Sequence, residues 1–162
     1  MHSAQSPGDI EEGWYNLPLY YDIIFDQDTA REAEFLEEVF HINADRGALE
    51  RLDILEPACG SGRLMERLSE MGHTLTGFDL SSAMIEFSTE RLRRAGHVPR
   101  VFNMAMEEFH IPGKFDMAYC LVSTFKYLLD ERDASSHLRN VASHLRSGGI
   151  YVLGLHLSDY SR

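Results

Sequence analysis

The chain has 162 residues, 44% hydrophobic and 25% charged, a balance that suits one α/β domain with a core of its own. Its 26 acids against 15 Lys plus Arg give a formal net charge of −11, which repels phosphate backbones and disfavours a nucleic-acid partner. No apolar run is long enough to span a bilayer, Met1 to Asp9 has the marks of no secretory signal, and two cysteines, Cys59 and Cys120, make no disulfide framework, so a reducing cytoplasm is the expected setting.

Met1 to Gly13 is polar and reads as an arm, and Trp14 to Phe25 is rich in aromatics. Thr29 to His41 reads as a helix, with Thr29 and Glu32 as a capping box and Ala33, Leu36, Val39 and Phe40 as its apolar stripe. The acids Asp26, Asp28, Glu32, Glu34, Glu37 and Glu38 read as a solvated face. Strand and helix then alternate. Leu52–Glu56 is a predicted strand, Gly62–Met71 a helix and Thr74–Asp79 a strand. Ser81 caps a helix that Gly96 stops. Val98–Asn103 and Lys114–Leu121 are further strands. Asp130 caps a helix through Leu145, and Gly148-Gly149 turns the chain into a fifth strand, Ile150–Leu157. Such alternation implies a parallel sheet with helices on both faces.

Ligands of such sheets bind beyond the strand C-termini, where the strand order reverses. That rule selects Glu56 to Gly62, Asp79-Leu80, Asn103 to Glu107 and Cys120-Leu121. Glu56 ends the first strand beside the small-residue turn Ala58-Cys59-Gly60-Ser61-Gly62, where Gly60 and Gly62 permit close approach. Backbone N–H groups there suit a carboxylate, and Glu56 suits a cationic group of the same ligand. Asp79 at the next strand tip suits a ribose diol, although it also opens a helix. Met84, Met104, Met106 and Phe109 are either core or purine-pocket residues, with Phe109 the better core candidate. Cys120 reads as a small buried hydrophobe, with a nearby carbonyl as the more useful atom. The eight histidines show no metal-ligand spacing, and no metal is expected. His137 and His144 read as surface residues, and His156 is the one histidine worth testing as a general base, with a structural role favoured.

Leu52-Asp53-Ile54-Leu55-Glu56-Pro57-Ala58-Cys59-Gly60-Ser61-Gly62 resembles motif I of the class I S-adenosylmethionine-dependent methyltransferases. Gly77-Phe78-Asp79-Leu80-Ser81 with Met84-Ile85 resembles the segment after it, Phe115 to Cys120 the family's fourth strand, and Leu145-Arg146-Ser147-Gly148-Gly149 the turn before its fifth. Tyr21-Asp22 is similar to the lid pair of members acting on small molecules. The resemblance implies a single-domain α/β fold: a Rossmann-like doubly wound parallel sheet of order 3-2-1-4-5 under an N-terminal helical lid. It divides the chain into residues 1–28, arm and aromatic lid, and 29–162, cofactor-binding domain. The implied cofactor is S-adenosylmethionine, held by Tyr21, Glu56, Ala58, Cys59, Gly60, Gly62, Asp79, Leu80, Met84, Ala105, Met106, Glu107 and Cys120. No catalytic base is implied. The implied reaction is methyl transfer to a small molecule, by alignment of cofactor and acceptor.

Three departures stand out. Ala58 replaces the first glycine of the loop, which requires that its φ stay negative. Ala105 stands where many members carry an Asp for the purine amino group, with Glu107 as a substitute. The family's closing antiparallel hairpin is missing after the fifth strand, which leaves an apolar edge for a second copy or for further C-terminal residues to cover. A binding module or fragment without turnover is therefore the competing reading. A nicotinamide-dependent oxidoreductase is weaker, because Met65 stands where its fingerprint needs a third glycine.

Overall fold

A computed structural model describes residues 17–44 and 50–155. Five strands, β1 (Asp53–Pro57), β2 (Thr74–Asp79), β3 (Val101–Asn103), β4 (Phe115–Cys120) and β5 (Leu145–Leu153), form one parallel sheet in the order β3-β2-β1-β4-β5. Five α-helices accompany it among the described residues: α1 (Pro18–Phe25), α2 (Thr29–Asn43), α3 (Arg63–Glu70), α4 (Ser82–Arg94) and α5 (Glu131–His144). The strand order reverses at β1, between β2 and β4.

The two-residue side-chain period of the strands feeds two cores. Ile54, Met117 and Tyr119 face α2 and α3, where Ala33, Leu36, Phe40, Leu64 and Leu68 complete one cluster. Leu55, Ala118 and Phe78 face the other way, onto Val141 of α5 and onto Phe109 and Ile111 of the segment between β3 and β4. Ile54 pairs with Met117 and Leu55 with Ala118, so Glu56 arrives on the same face as Tyr119. Central strands are covered on both faces, and every residue of β4 is buried, Asp116 included.

Several expectations change. Thr29 and Glu32 form no capping box: the Arg63 guanidinium is buried and takes both, donating to Thr29 Oγ1 at 2.9 Å and pairing with Glu32. The acidic face of α2 is thus only partly solvated, since Glu37 also meets His73 Nε2 at 3.0 Å. β3 starts at Val101 rather than Val98, because Pro99 has no N–H for a ladder and Val98 is exposed. Gly148-Gly149 is a bulge within β5, not a turn before it. The register passes from Phe115↔Leu145 to Met117↔Ile150, Gly148 has φ 76°, and a Cβ on Gly149 would stand 2.8 Å from the Asp116 carbonyl oxygen. The Asp130 and Ser81 caps form as expected, accepting from Asp133 N and Met84 N.

His137 and His144 are buried, not superficial. With Val141 they occupy positions i, i+4 and i+7 of α5, the stripe that faces the sheet. His156, the candidate base, and the end of the expected fifth strand lie outside the described residues.

Candidate cofactor site

The β1–α3 turn is built on left-handed backbone. Gly60 has φ 53° and Gly62 φ 73°, and Ala58 has φ 55°. The negative φ expected for Ala58 is therefore wrong. An alanine in this region costs roughly 1–2 kcal/mol. Two more non-glycine residues share the conformation, Val122 (φ 57°) and Ser123 (φ 60°), at the tip of neighbouring β4. Backbone strain in the described residues thus gathers at two adjacent strand tips, a pattern typical of binding sites.

Asp79 ties the turn to the next strand. Its Oδ2 accepts from the Gly60 amide at 2.9 Å and its Oδ1 from the Ser81 amide at 2.9 Å. A carboxylate has about four acceptor sites, so acceptor capacity remains beyond these amides. Burial raises the carboxyl pKa, against the lowering effect of the amides of Ser81, Gly60 and Leu80. Asn103 steadies the same tip by donating to the carbonyls of Asp79 and Leu80.

Glu56 is buried, and its Oε2 has no hydrogen-bond partner. Burial pushes its pKa from 4.5 up to about 8, although Tyr119 and Arg63 act to lower it. The Tyr119 hydroxyl lies near enough to matter electrostatically but outside strict hydrogen-bond geometry.

Helix α1 closes the turn from above. A Cβ on Gly60 would lie 3.6 Å from the Tyr21 ring. Asp22 is buried, accepts from Ser61 Oγ at 2.8 Å and pairs with Arg91, which also reaches Glu66. Burial pushes the Tyr21 phenol up to about 12.

Two neighbouring cavities share Tyr21, Ala58 and Thr124 in their walls. The larger, of about 820 Å³, runs past Gly60, Asp79, Leu80, Met84, Met106 and Glu107 and on to Tyr127, Leu128 and Leu129. The smaller, of about 20 Å³, is walled by Glu56, Cys59, Ser61, Arg63 and Val122 among others. Among the described residues the larger cavity's walls carry four carboxylates, Asp79, Glu107, Asp130 and Asp133, and no Lys, Arg or His.

Most of the residues selected from sequence thus share this pair of cavities: Tyr21, Glu56, Ala58, Cys59, Gly60, Asp79, Leu80, Met84, Met106 and Glu107. Three do not line either. Gly62 lies behind the turn, where a Cβ would meet Ser88 Cβ at 2.8 Å, so it permits the α3–α4 approach. Ala105 is half-buried beside the wall. Cys120 is buried, and its carbonyl accepts from Gly154 N. Burial pushes its thiol up to about 12. The segment after β4, with Thr124, Tyr127, Leu128 and Leu129, was not selected from sequence. The strand-tip rule would have reached it had it been extended past Leu121.

Fold and site together define a nucleoside-type cofactor domain of the Rossmann-like class. Residues 54–149 match the family model described as a methyltransferase domain, and the chain belongs to this family of S-adenosylmethionine-dependent methyltransferases. It is 33% identical over 104 residues to the dTDP-4-amino-2,3,4,6-tetradeoxy-D-glucose N,N-dimethyltransferase of Saccharopolyspora spinosa, a match covering 64% of this chain and 40% of that one. It is 30% identical over 139 residues to the glycine N-methyltransferase of Homo sapiens, covering 76% and 46%. Among solved structures, the sugar N-methyltransferase KedS8 from Streptoalloteichus superposes with a TM-score of 0.69 at 26% identity, covering 88% of this chain and 56% of that one. DesVI of Streptomyces venezuelae superposes with a TM-score of 0.74 at 22% identity, covering 88% and 58%. The chain spans less than half the length of these curated relatives. No described helix is long and apolar enough to cross a membrane.

Proposed function

We propose that this chain binds S-adenosylmethionine in the paired cavities and serves methyl transfer to an amino group of a small molecule. The observation that carries the reading is the placing of two carboxylates, Glu56 and Asp79, on adjacent strand tips around one left-handed turn, each lining one of two neighbouring cavities that share Tyr21, Ala58 and Thr124. The donor set fits the cofactor. Asp79 has acceptor capacity for a ribose diol, the orphaned Glu56 Oε2 suits an ammonium group, and Leu80, Met84 and Met106 make apolar walls for a purine.

When bound, the cofactor supplies a methyl group already activated on a sulfonium. The chain's own residues then have to align and exclude water. Tyr21 covers the turn, and the Asp22–Ser61 and Asp22–Arg91 contacts hold it there. Acidic walls favour a cationic or amine-bearing acceptor over an anionic one. The relatives from Saccharopolyspora and Streptoalloteichus are named for methylation of sugar nitrogen, which supports an amine acceptor here. Two buried free thiols, Cys59 and Cys120, support a reducing, cytoplasmic setting. Among the described residues β5 is the last strand of the sheet, which supports a covering partner, either a second copy or further chain.

A thermal-shift titration with S-adenosylhomocysteine tests the cofactor site. At 100 times its Kd the ligand adds about 2.7 kcal/mol, or roughly 5–10 °C for a chain of this size. Asp79→Asn should abolish most of that shift. No shift for the unaltered protein at millimolar ligand overturns the reading. Binding without methyl transfer to a panel of amino sugars and amino acids returns the binding-module alternative.

A further inference from the structure

Met106 and Glu107 line the larger cavity, yet they lie in a stretch with no regular secondary structure. No ladder fixes their peptide planes. Helix α5 does so instead. His137 Nδ1 meets the Met106 carbonyl oxygen at 2.9 Å. Ser136 Oγ and Asn140 Nδ2 both donate to the next carbonyl, Glu107 O, at 2.9 and 3.0 Å. Three side chains on one helix face thus hold two successive carbonyls of the cavity wall.

The imidazole is itself held. A carbonyl can only accept, so Nδ1 carries the proton, and Nε2 of the neutral ring accepts from the Tyr151 hydroxyl at 2.6 Å. Tyr151 stands on β5 opposite Ala118, so the chain of contacts ends on the central sheet. The rings of Phe125 and Tyr151 each lie with centroids 5.7 Å from that of His137, and Phe109 lies at 6.4 Å. Burial lowers the His137 pKa, and the Met106 carbonyl and Glu107 act to raise it. None of these α5 side chains lines the cavity.

We infer that His137, with Ser136 and Asn140, is a positioning residue that sets how the cavity reads the cofactor's purine. A trans peptide turns its N–H opposite to its C=O. With both carbonyls committed to α5, the amides of Glu107 and Glu108 point away from α5, and their hydrogen-bonding edge is fixed before a ligand arrives. A preorganised edge discriminates between bases that differ by one donor or acceptor, because the wrong base leaves a buried group unpaired. The inference rests on the proposed cofactor reading.

The test compares the Kd of S-adenosylhomocysteine with that of S-inosylhomocysteine, which exchanges the purine 6-amino group for a carbonyl. Their ratio is insensitive to a general loss of stability, which weakens both ligands alike. The unaltered protein should prefer the adenosyl ligand at least tenfold. His137→Phe should cut that preference by fivefold or more. His137→Asn, whose amide nitrogen takes the place of Nδ1, should keep it. Should His137→Phe fail to fold, the double variant Ser136→Ala, Asn140→Ala frees the Glu107 carbonyl from half-buried positions and should lower the ratio in the same direction. An unchanged ratio in the folded variants, with normal binding by the unaltered protein, overturns the positioning role alone. Failure of the unaltered protein to bind either ligand overturns the cofactor reading and this inference with it.

Discussion

Glu56→Gln isolates the one carboxyl whose protonation the fold controls most. The native side chain is 8% exposed, its Oε2 is unpartnered, and its pKa stands at about 8 against an ordinary 4.5. Between those values the folded chain holds a proton that the unfolded chain has released. The stability so contributed is complete below pH 4.5 and is lost as the pH rises through about 8. At roughly 1.4 kcal/mol per pH unit this amounts to about 5 kcal/mol, or some 10–15 °C in Tm. The glutamine side chain does not titrate and has nearly the same shape. Melting curves from pH 5 to 9 should therefore show Glu56→Gln gaining on the unaltered protein as the pH rises, and all titrations common to both cancel in the difference. Cofactor binding should act in the opposite sense. An ammonium group beside Glu56 favours its ionised form, so the affinity of the unaltered protein for S-adenosylhomocysteine should rise up to tenfold per pH unit below pH 8 and then level off. The variant should bind weakly, with a flat profile. Superimposable pH profiles of the two proteins, in melting and in binding, would refute the reasoning.

Ala58→Gly should stabilise the chain by about 0.5–1 kcal/mol, because relief of the left-handed strain exceeds the added backbone entropy; equilibrium unfolding in urea reads it, and a loss of stability would count against the φ of 55°. Gly62→Ala should destabilise by roughly 2–3 kcal/mol, since the new Cβ meets Ser88 Cβ at 2.8 Å on a backbone with φ 73°; a neutral result in the same assay would show that α3 and α4 are less closely packed than described.

The strands and helices were legible because their signals are local. Thr74–Asp79 reads from its own residues, and Ser81 and Asp130 announce the helices they cap. The late start of β3 has a local cause in Pro99, whereas other departures trace to distant residues. Arg63 draws Thr29 and Glu32 out of a capping box, the Asp116 carbonyl leaves no room for a Cβ at Gly149 in the β5 bulge, and the sheet draws His137 and His144 inward. The loop after β4 follows a strand tip, so topology points to its start, but only packing shows that Tyr127, Leu128 and Leu129 wall the cavity.

The sequence alone determined a parallel sheet with helices on both faces and the two strand-tip acids, because period, capping and turn chemistry are properties of neighbouring residues; the strand order followed from the family resemblance. Only the tertiary structure decided their states: that Glu56 is buried with an orphaned oxygen, that Ala58 is left-handed, and that α5 holds the wall at Met106 and Glu107. Burial and the pairing of remote groups depend on which surfaces meet, and that is settled when the chain packs.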